Sequence, residues 1–552
     1  MPCTGDRLRV RLRLRLWSLP QELRIVVMPG RDSRHLAVSA LGLLAAVISG
    51  PWSVCAAMNW EITPRFALSE ILTDNVNLTR DDEVGALVTR FRPGVNIVGQ
   101  GPRVQGNLSY TLDGIIALRG SSNSSTGGSG RYQDRLFHLL IADGRAELLK
   151  QHLFVDARAR RRQFATNLAG PIGIDNTAGF NNLSAVTGLS VSPYFTNHFG
   201  SYADATLRYS YDRIFIDNSS IANTQINQFS GILQSGDAFG PVFWSLNANR
   251  TQTQRSGSGS GTGSGTGQFQ SGTFAEASAS IGYRLNRHFS VSATGGYQDN
   301  DFQSTRNTID GPFWDVGFDW VPNRRASLSA RYGERFFGKT GSLNLRYRRR
   351  ATLWQASFNQ SISTLRDVIL TDAGTVPIFS LNCPPSDPSC LPIDEIAVLR
   401  PEAVQDIFVL ARARASVTLS GVKHSATLAY SFIRRTVERD GAESRQQGVN
   451  LRWTWRLREN AQFITSGGWM QMQPLRQDGE GNLWYMQLGL TRDLGQLTSA
   501  SLSYRHQSRN GTAGLIEYNE NALIAAITIR FSRENGSSTG VGPSTGIGMG
   551  PY

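Results

Sequence analysis

The chain has 552 residues, of which 18% are charged and 40% hydrophobic, and its formal net charge at pH 7 is +13. The hydrophobic share is too low for a bundle of membrane helices, while 11 Trp, 15 Tyr and 26 Phe are too many for a disordered chain. Four cysteines in this length exclude a disulfide-stapled scaffold, and 56 glycines against 21 prolines fit a large all-β protein.

The first recognisable element is an export signal. Arg31, Arg34 and His35 precede an apolar run from Leu36 to Ile48, broken by Gly50 and Pro51 and followed by Val54-Cys55-Ala56-Ala57. A basic segment, a short apolar segment and small residues at the cut are the layout of a secretory signal peptide, here 28–57 with cleavage after Ala56 or Ala57. The apolar run is shorter than the roughly 20 residues a helix needs to span a bilayer. Val54 is too large for the residue that precedes a lipidated cysteine, which sets aside a lipoprotein reading of Cys55. Met28 stands directly before the signal, so residues 1–27, with their Arg/Leu alternation, are read as a mis-assigned N-terminal extension. No later stretch is apolar for long enough to make a transmembrane helix, so the exported chain is either soluble or a barrel.

After the signal, Trp60-Glu61-Ile62-Thr63-Pro64 leads into Glu70-Ile71-Leu72-Thr73-Asp74-Asn75-Val76-Asn77-Leu78. Arg92-Pro93-Gly94-Val95 and Tyr110-Thr111-Leu112-Asp113-Gly114 follow. This stretch, 60–115, resembles the PEP-CTERM system-associated outer-membrane protein family, found with exopolysaccharide gene clusters. The resemblance implies an outer-membrane barrel linked to exopolysaccharide production or export. Its implied partners are an anionic exopolysaccharide or the export proteins that handle it. It brings no catalytic residues to transfer.

Downstream the chain is written in period two. Leu207, Tyr209 and Tyr211 alternate with Arg208, Ser210 and Asp212, and Trp314, Val316, Phe318 and Trp320 with Asp315, Gly317 and Asp319. Leu328, Ala330 and Tyr332 alternate with Ser327, Ser329 and Arg331, and Leu343, Leu345 and Tyr347 with Asn344, Arg346 and Arg348. Val449, Leu451, Trp453, Trp455 and Leu457 alternate with Asn450, Arg452, Thr454, Arg456 and Arg458. Strand side chains point to opposite faces in turn, so each segment has one apolar and one polar face. The segments run about ten to fourteen residues, the length of a tilted membrane strand and longer than the roughly five or six of soluble sheets.

Connections alternate as well. Tight turns at 286–288, 322–324, 349–350, 421–422, 459–460 and 495–496 are interleaved with polar loops at 119–131, 166–181, 215–224, 253–268, 303–310, 364–404, 438–444, 474–482 and 510–518. Short periplasmic turns and long extracellular loops are the signature of an outer-membrane barrel. The predicted fold is an all-β, transmembrane, antiparallel up-and-down β-barrel over 58–532, of about 22 strands, an even number between about 18 and 24. Its closing strand, Leu523 to Phe531, ends on an aromatic residue and resembles the signal read by the barrel-assembly machinery. The Gly/Ser-rich tail 533–552 is predicted to be disordered.

No catalytic constellation is visible. His138, His152, His198, His288, His424 and His506 are scattered without metal-ligand spacing, and Ser503 and His506 fall on opposite faces of a strand. The chain is read as a non-enzyme without cofactor or metal. Cys383 and Cys390, in the longest loop, are read as a loop disulfide in an oxidising envelope. Trp320, Trp453, Trp455, Trp484, Tyr332 and Tyr504 are expected in the aromatic girdles, with Tyr485 a candidate sugar contact.

The candidate functional residues are arginines. Arg158, Arg208, Arg331, Arg346, Arg348, Arg452, Arg456 and Arg505, with Arg160 and Arg530, alternate with apolar positions. Arg at mid-depth on the lipid face costs about 2–4 kcal/mol, so these residues are predicted to face the lumen. Rings of arginine favour anions and would guide an acidic polymer or a small anion. The other reading is that Glu147, Asp156, Asp212, Asp315 and Asp319 neutralise them and the lumen is filled as structure. The run Arg160-Arg161-Arg162 is expected to meet lipopolysaccharide phosphates or solvent. An exported chain does not meet nucleic acid. The expected function is an exopolysaccharide-associated channel or export component of the Gram-negative outer membrane. The alternatives are a structural or docking barrel with an occluded lumen, and a barrel enzyme acting on lipid or polysaccharide.

Overall fold

A computed structural model describes residues 59–81, 83–119, 135–175, 177, 182–217, 223–256, 271–370, 375–378, 394–397, 406–512 and 514–531. The signal segment 28–57, the extension 1–27, the tail 533–552 and the Cys383–Cys390 pair lie outside them.

The elements are β1 (Asn59–Thr73), β2 (Ala86–Gln100), β3 (Val104–Arg119), β4 (Arg135–Leu149), β5 (Leu153–Ala165), β6 (Leu183–Phe199), β7 (Ala203–Ile216) and β8 (Asn223–Ser235). Then come β9 (Val242–Ser256), β10 (Gly272–Asn286), β11 (Phe289–Asp301), β12 (Gly311–Asn323), β13 (Ala326–Arg335), β14 (Gly338–Arg349) and β15 (Thr352–Ser363). A short helix, α1 (Leu365–Leu370), and a separate hairpin, β16 (Thr375–Ile378) with β17 (Asp394–Ala397), precede β18 (Phe408–Ser420). The chain ends with β19 (His424–Val437), β20 (Glu443–Arg458), β21 (Ala461–Gln473), β22 (Gly481–Asp493), β23 (Thr498–Gly511) and β24 (Tyr518–Arg530).

Apart from the β16–β17 hairpin, all strands form one 22-stranded sheet in which each pairs antiparallel with its neighbour in sequence. The sheet closes because β24 pairs back to β1, with Arg65 opposite Arg530, Leu72 opposite Leu523 and Thr73 opposite Ala522. Closure satisfies every strand edge within the wall, which a sheet in lipid requires. The strand count is the one the period-two pattern predicts.

Alternation decides which face meets lipid. Leu207, Tyr209, Trp314, Val316, Tyr332, Leu343, Leu451 and Trp455 are all exposed, while the polar residues between them turn inward. The girdle assignments for Trp320, Trp484 and Tyr504 agree with this, since all three are exposed. Tight connections such as 150–152, 200–202, 324–325, 421–423 and 459–460 lie at one end, and the long loops at the other. One outer connection is short: β13 and β14 are joined by Phe336 and Phe337 alone, with Gly338 at φ 106, a left-handed backbone that glycine adopts without a Cβ clash.

Two of the connections predicted as polar loops carry apolar residues inward, the β5–β6 loop and the start of the β15–β18 connection. Leu168 and Ile172 of the first, and Leu365, Val368 and Ile369 of α1, are buried in one apolar cluster with inward-facing Val186, Ile214, Phe408, Ile433, Val437, Met472 and Leu483. The helix seats against β6 where Gly188 leaves room, since a Cβ there would lie 2.9 Å from Ile369. The outer part of the lumen is therefore an apolar core, and the polar lumen lies on its periplasmic side.

Candidate functional site

Apart from Arg331 on β13, the arginines singled out by alternation fall on two different walls. On the first, built from β2–β7 with β23 and β24, guanidinium and carboxylate groups are matched. Asp156 on β5 accepts from Arg145 Nε at 2.8 Å and from Arg208 Nη1 at 3.0 Å. The Arg208 guanidinium also lies over the Tyr194 ring, 4.0 Å from its centroid. Asp143 on β4 accepts from Arg160 Nη2 at 2.8 Å, with Arg158 Nε 3.9 Å away. Arg90 donates to both oxygens of Asp113, at 2.7 and 2.6 Å. Of the acids expected as partners, Asp156 pairs with strand arginines and Asp212 pairs instead with Arg366 of α1, at 2.6 Å. Asp315 lies 3.8 Å from Arg331. Glu147 accepts from the Gln151 backbone N–H rather than from an arginine. Within the run 160–162, Arg160 turns inward, whereas Arg161 donates to Thr187 and Asp217.

The second wall, β14–β15 and β18–β21, is different. Arg346, Arg348, Arg412, Arg414, Arg435, Arg452 and Arg456 share the inward face, and these strands contain no Asp or Glu except Glu443 at the outer tip of β20. Glu443 accepts from Thr436 Oγ1 at 3.0 Å. Strand register sets the arginines in successive rows. Arg435 is opposite Leu410 and Ser444, Arg412 opposite Ile433 and Asn359, Arg414 opposite Ser431 and Ser357. Arg346 follows in the row of Gln355 and Ser416, then Arg348 and Arg452 in the row of Leu353, Thr418 and Thr427. Arg456 lies beside the β20–β21 turn. Rows two residues apart are about 7 Å apart along a strand. The result is a ladder of cations from beneath the outer apolar core to the periplasmic end. Arg412, Arg414 and Arg435 were missed by the sequence reading, although Ala411-Arg412-Ala413-Arg414-Ala415 carries the same period-two signal. Tyr485 also turns inward, and its hydroxyl donates to Asn450 beside this wall.

Above the paired wall, the β5–β6 loop is tied to the inward side chains of β23 and β24. Arg509 Nη2 donates to the Leu168 carbonyl at 2.6 Å and Nη1 to the Gly170 carbonyl. Tyr518 Oη donates to the Ile172 carbonyl at 2.5 Å, and the Ile174 N–H donates to Gln507 Oε1 at 3.1 Å. Asp175 then reaches Arg505, whose Nη1 donates to it at 2.7 Å, while Arg90 Nη1 stands 3.9 Å away. Arg505 is itself paired with Glu520 at 2.7 Å, and the two side chains are 2% and 0% exposed. Burial by itself would raise the Asp175 carboxyl, but Arg505, Arg90 and the Thr177 donors outweigh it and hold the group well below the usual carboxylate range. Arg505, a predicted lumen contact, is thus occupied by two carboxylates.

Other outer loops are laced by ion pairs at the rim. Arg476 donates to Asp440 at 2.7 Å and to Asp406 at 2.9 Å, and Arg306 to Glu438 at 3.0 Å. Burial opposes ionisation of Asp440, but the Ala442 N–H, Arg476 and Arg439 together outweigh it, so its carboxyl is lowered. Among the described residues no group of three or more His, Cys, Asp or Glu is placed to hold a metal ion.

No protein-family model matches the chain, and no curated protein matches it. Among solved structures it is similar to the siderophore receptor PirA from Acinetobacter baumannii, with a TM-score of 0.46 and 9% identity over 85% of this chain and 80% of that one. It is also similar to a mutant ferric enterobactin receptor, PfeA, from Pseudomonas aeruginosa, with a TM-score of 0.45 and 10% identity over 85% and 80% of the two chains. The FrpB iron transporter from Neisseria meningitidis gives a TM-score of 0.45 and 9% identity over 85% and 81%. A closed wall of 22 paired strands, apolar outside and charged within, makes this chain an outer-membrane β-barrel.

Proposed function

We propose that the barrel guides an anionic chain segment, of the exopolysaccharide class, along the arginine ladder of β14–β21. The observation that carries this reading is the absence of strand carboxylates from that wall. Seven inward arginines on adjoining strands, with one acid at the outer tip, leave a field that favours anions along the length of the wall. The resemblance of residues 60–115 to exopolysaccharide-associated outer-membrane proteins supports the choice of cargo. Lipopolysaccharide surrounds the barrel, and the barrel-assembly machinery inserts it. The part played by the protein is passive: it lowers the barrier for negative charge and performs no chemistry.

The test is single-channel conductance of the refolded chain (residues 58–552) in a planar bilayer under a salt gradient. The expected result is anion preference in the current that the channel passes when open. The triple variant Arg346→Gln/Arg452→Gln/Arg456→Gln should lose most of that preference. Unchanged selectivity in the variant would refute the ladder as the conducting wall.

A second reading, a docking barrel with an occluded lumen, is favoured by the apolar core under the outer mouth. A barrel shown to be folded by heat-shifted gel mobility, yet silent in the bilayer under all conditions, would move the assignment to that reading.

A further inference from the structure

The β5–β6 loop and the paired wall meet at one point that looks like a filled binding site. Arg505 is fixed from behind by Glu520, which also accepts from Gln507 Nε2 at 2.7 Å and from Thr73 Oγ1 at 2.9 Å. Arg90 is fixed by Asp113 on β3. Both guanidiniums are therefore oriented by the wall and not by the loop. Each turns one Nη1 toward the same place, and a carboxylate sits there: Asp175, at 2.7 Å from Arg505 and 3.9 Å from Arg90. Thr177 completes the contact, accepting from Arg505 Nη2 at 3.3 Å. The carboxylate is supplied by a segment that also buries Leu168 and Ile172 in the apolar cluster of the outer lumen.

We infer that Arg505 and Arg90 form a carboxylate subsite of the lumen that the chain fills with its own Asp175, so that a carboxylate-bearing sugar and the β5–β6 loop compete for it. The inference rests on the anionic-polymer reading for its choice of ligand. Its geometry is independent of the arginine ladder, which lies on the other wall. A tethered carboxylate has a high effective concentration, so a single free carboxylate competes poorly, whereas a chain bearing several gains by avidity. Displacing Asp175 removes the loop's charged contact with the wall and loosens the backbone contacts to Arg509, Tyr518 and Gln507 beside it, which opens the mouth above the polar lumen. The barrel is then closed in the absence of its polymer and opened by it.

Arg505 is unsuited to the test, because its loss strands buried Glu520. Asp175→Asn keeps the shape of a loop residue and removes its charge. In planar bilayers the open probability of the wild-type chain should rise at least tenfold when tri-galacturonate is added on the extracellular side, and should not respond to maltotriose. Asp175→Asn should be at least tenfold more open without sugar and gain nothing from tri-galacturonate, while Asp175→Glu should behave as wild type. A folded Asp175→Asn barrel as closed as wild type overturns the latch. An open Asp175→Asn barrel beside a wild type indifferent to tri-galacturonate overturns the subsite. The Arg346/Arg452/Arg456 triple variant should retain gating by tri-galacturonate, so failure of the ladder and failure of the latch give different records.

Discussion

The two walls of the lumen use the same residue to opposite ends. On β2–β7 and β23–β24, Arg90, Arg145, Arg158, Arg160, Arg208 and Arg505 each have a carboxylate within reach, and Arg505 and Arg509 join the wall to the loop above it. On β14–β15 and β18–β21 there are seven inward arginines, and these strands carry no Asp or Glu except Glu443 at the outer tip of β20. Buried ion pairs break even with apolar packing at best, so the paired wall gains fixed geometry more than stability. Like charges in adjacent rows repel, and the strands of the second wall offer no such matching of their own. Arginine alternating with apolar residues therefore identifies the lumen, and the distribution of strand acids distinguishes its two walls.

Substitutions on each wall should separate these roles. The largest effect belongs to the paired wall. Glu520→Ala leaves the buried Arg505 with Asp175 as its one strong carboxylate and takes the acceptor from Gln507 and Thr73, and should destabilise the barrel by about 3 kcal/mol, read as the urea midpoint of tryptophan fluorescence in vesicles. A wild-type midpoint would mean that water or another acid replaces Glu520. Next is Gly188→Leu, which drives a side chain into Ile369 and should cost about 1–3 kcal/mol while unseating α1. Faster tryptic cleavage at Arg366 would report the displaced helix.

The cationic wall should respond in the reverse sense. Arg412→Gln removes one member of the Arg412, Arg414 and Arg435 group and should leave stability within about 1 kcal/mol of wild type, or raise it. A loss as large as that of Glu520→Ala would show that this wall is as structural as the other. The smallest effect is that of pH on the loop contacts. Asp175 and Asp440 have carboxyls lowered in the folded chain, so their contributions are complete at neutral pH and decline only as acidity passes below the ordinary carboxylate value of about 4. Protease resistance of the β5–β6 loop should hold to about pH 4 and fall below it. Asp440→Asn should change little, because both partners of the Asp440–Arg476 pair are partly exposed.

Much of this molecule is legible in its sequence. Strand identity, the facing of each strand and the long-and-short order of connections follow from period two, as Leu207-Arg208-Tyr209 and Leu451-Arg452-Trp453 show. The pairing of arginines does not follow, because Asp156 meets Arg208 and Asp212 meets Arg366 through register and loop insertion across the lumen. The apolar outer lumen left a trace that alternation alone passes over. Ile214-Phe215-Ile216 and Phe408-Val409-Leu410 are apolar on both faces, as a strand must be where its inner face meets the apolar cluster and its outer face meets lipid. The Asp175 contact had no local signal, since its partner is more than three hundred residues away in the chain.

The place of that contact bears on how the barrel is made. The seat of the β5–β6 loop is assembled from β2 and β3 on one side of the junction between first and last strands, and from β23 and β24 on the other. Such a seat does not exist while β24 is unpaired, because Arg90 and Arg505 then belong to opposite edges of an open sheet. The loop can dock only after insertion has finished, so its protection from protease is a timestamp for completed assembly, readable in a pulse-chase experiment without any functional assay.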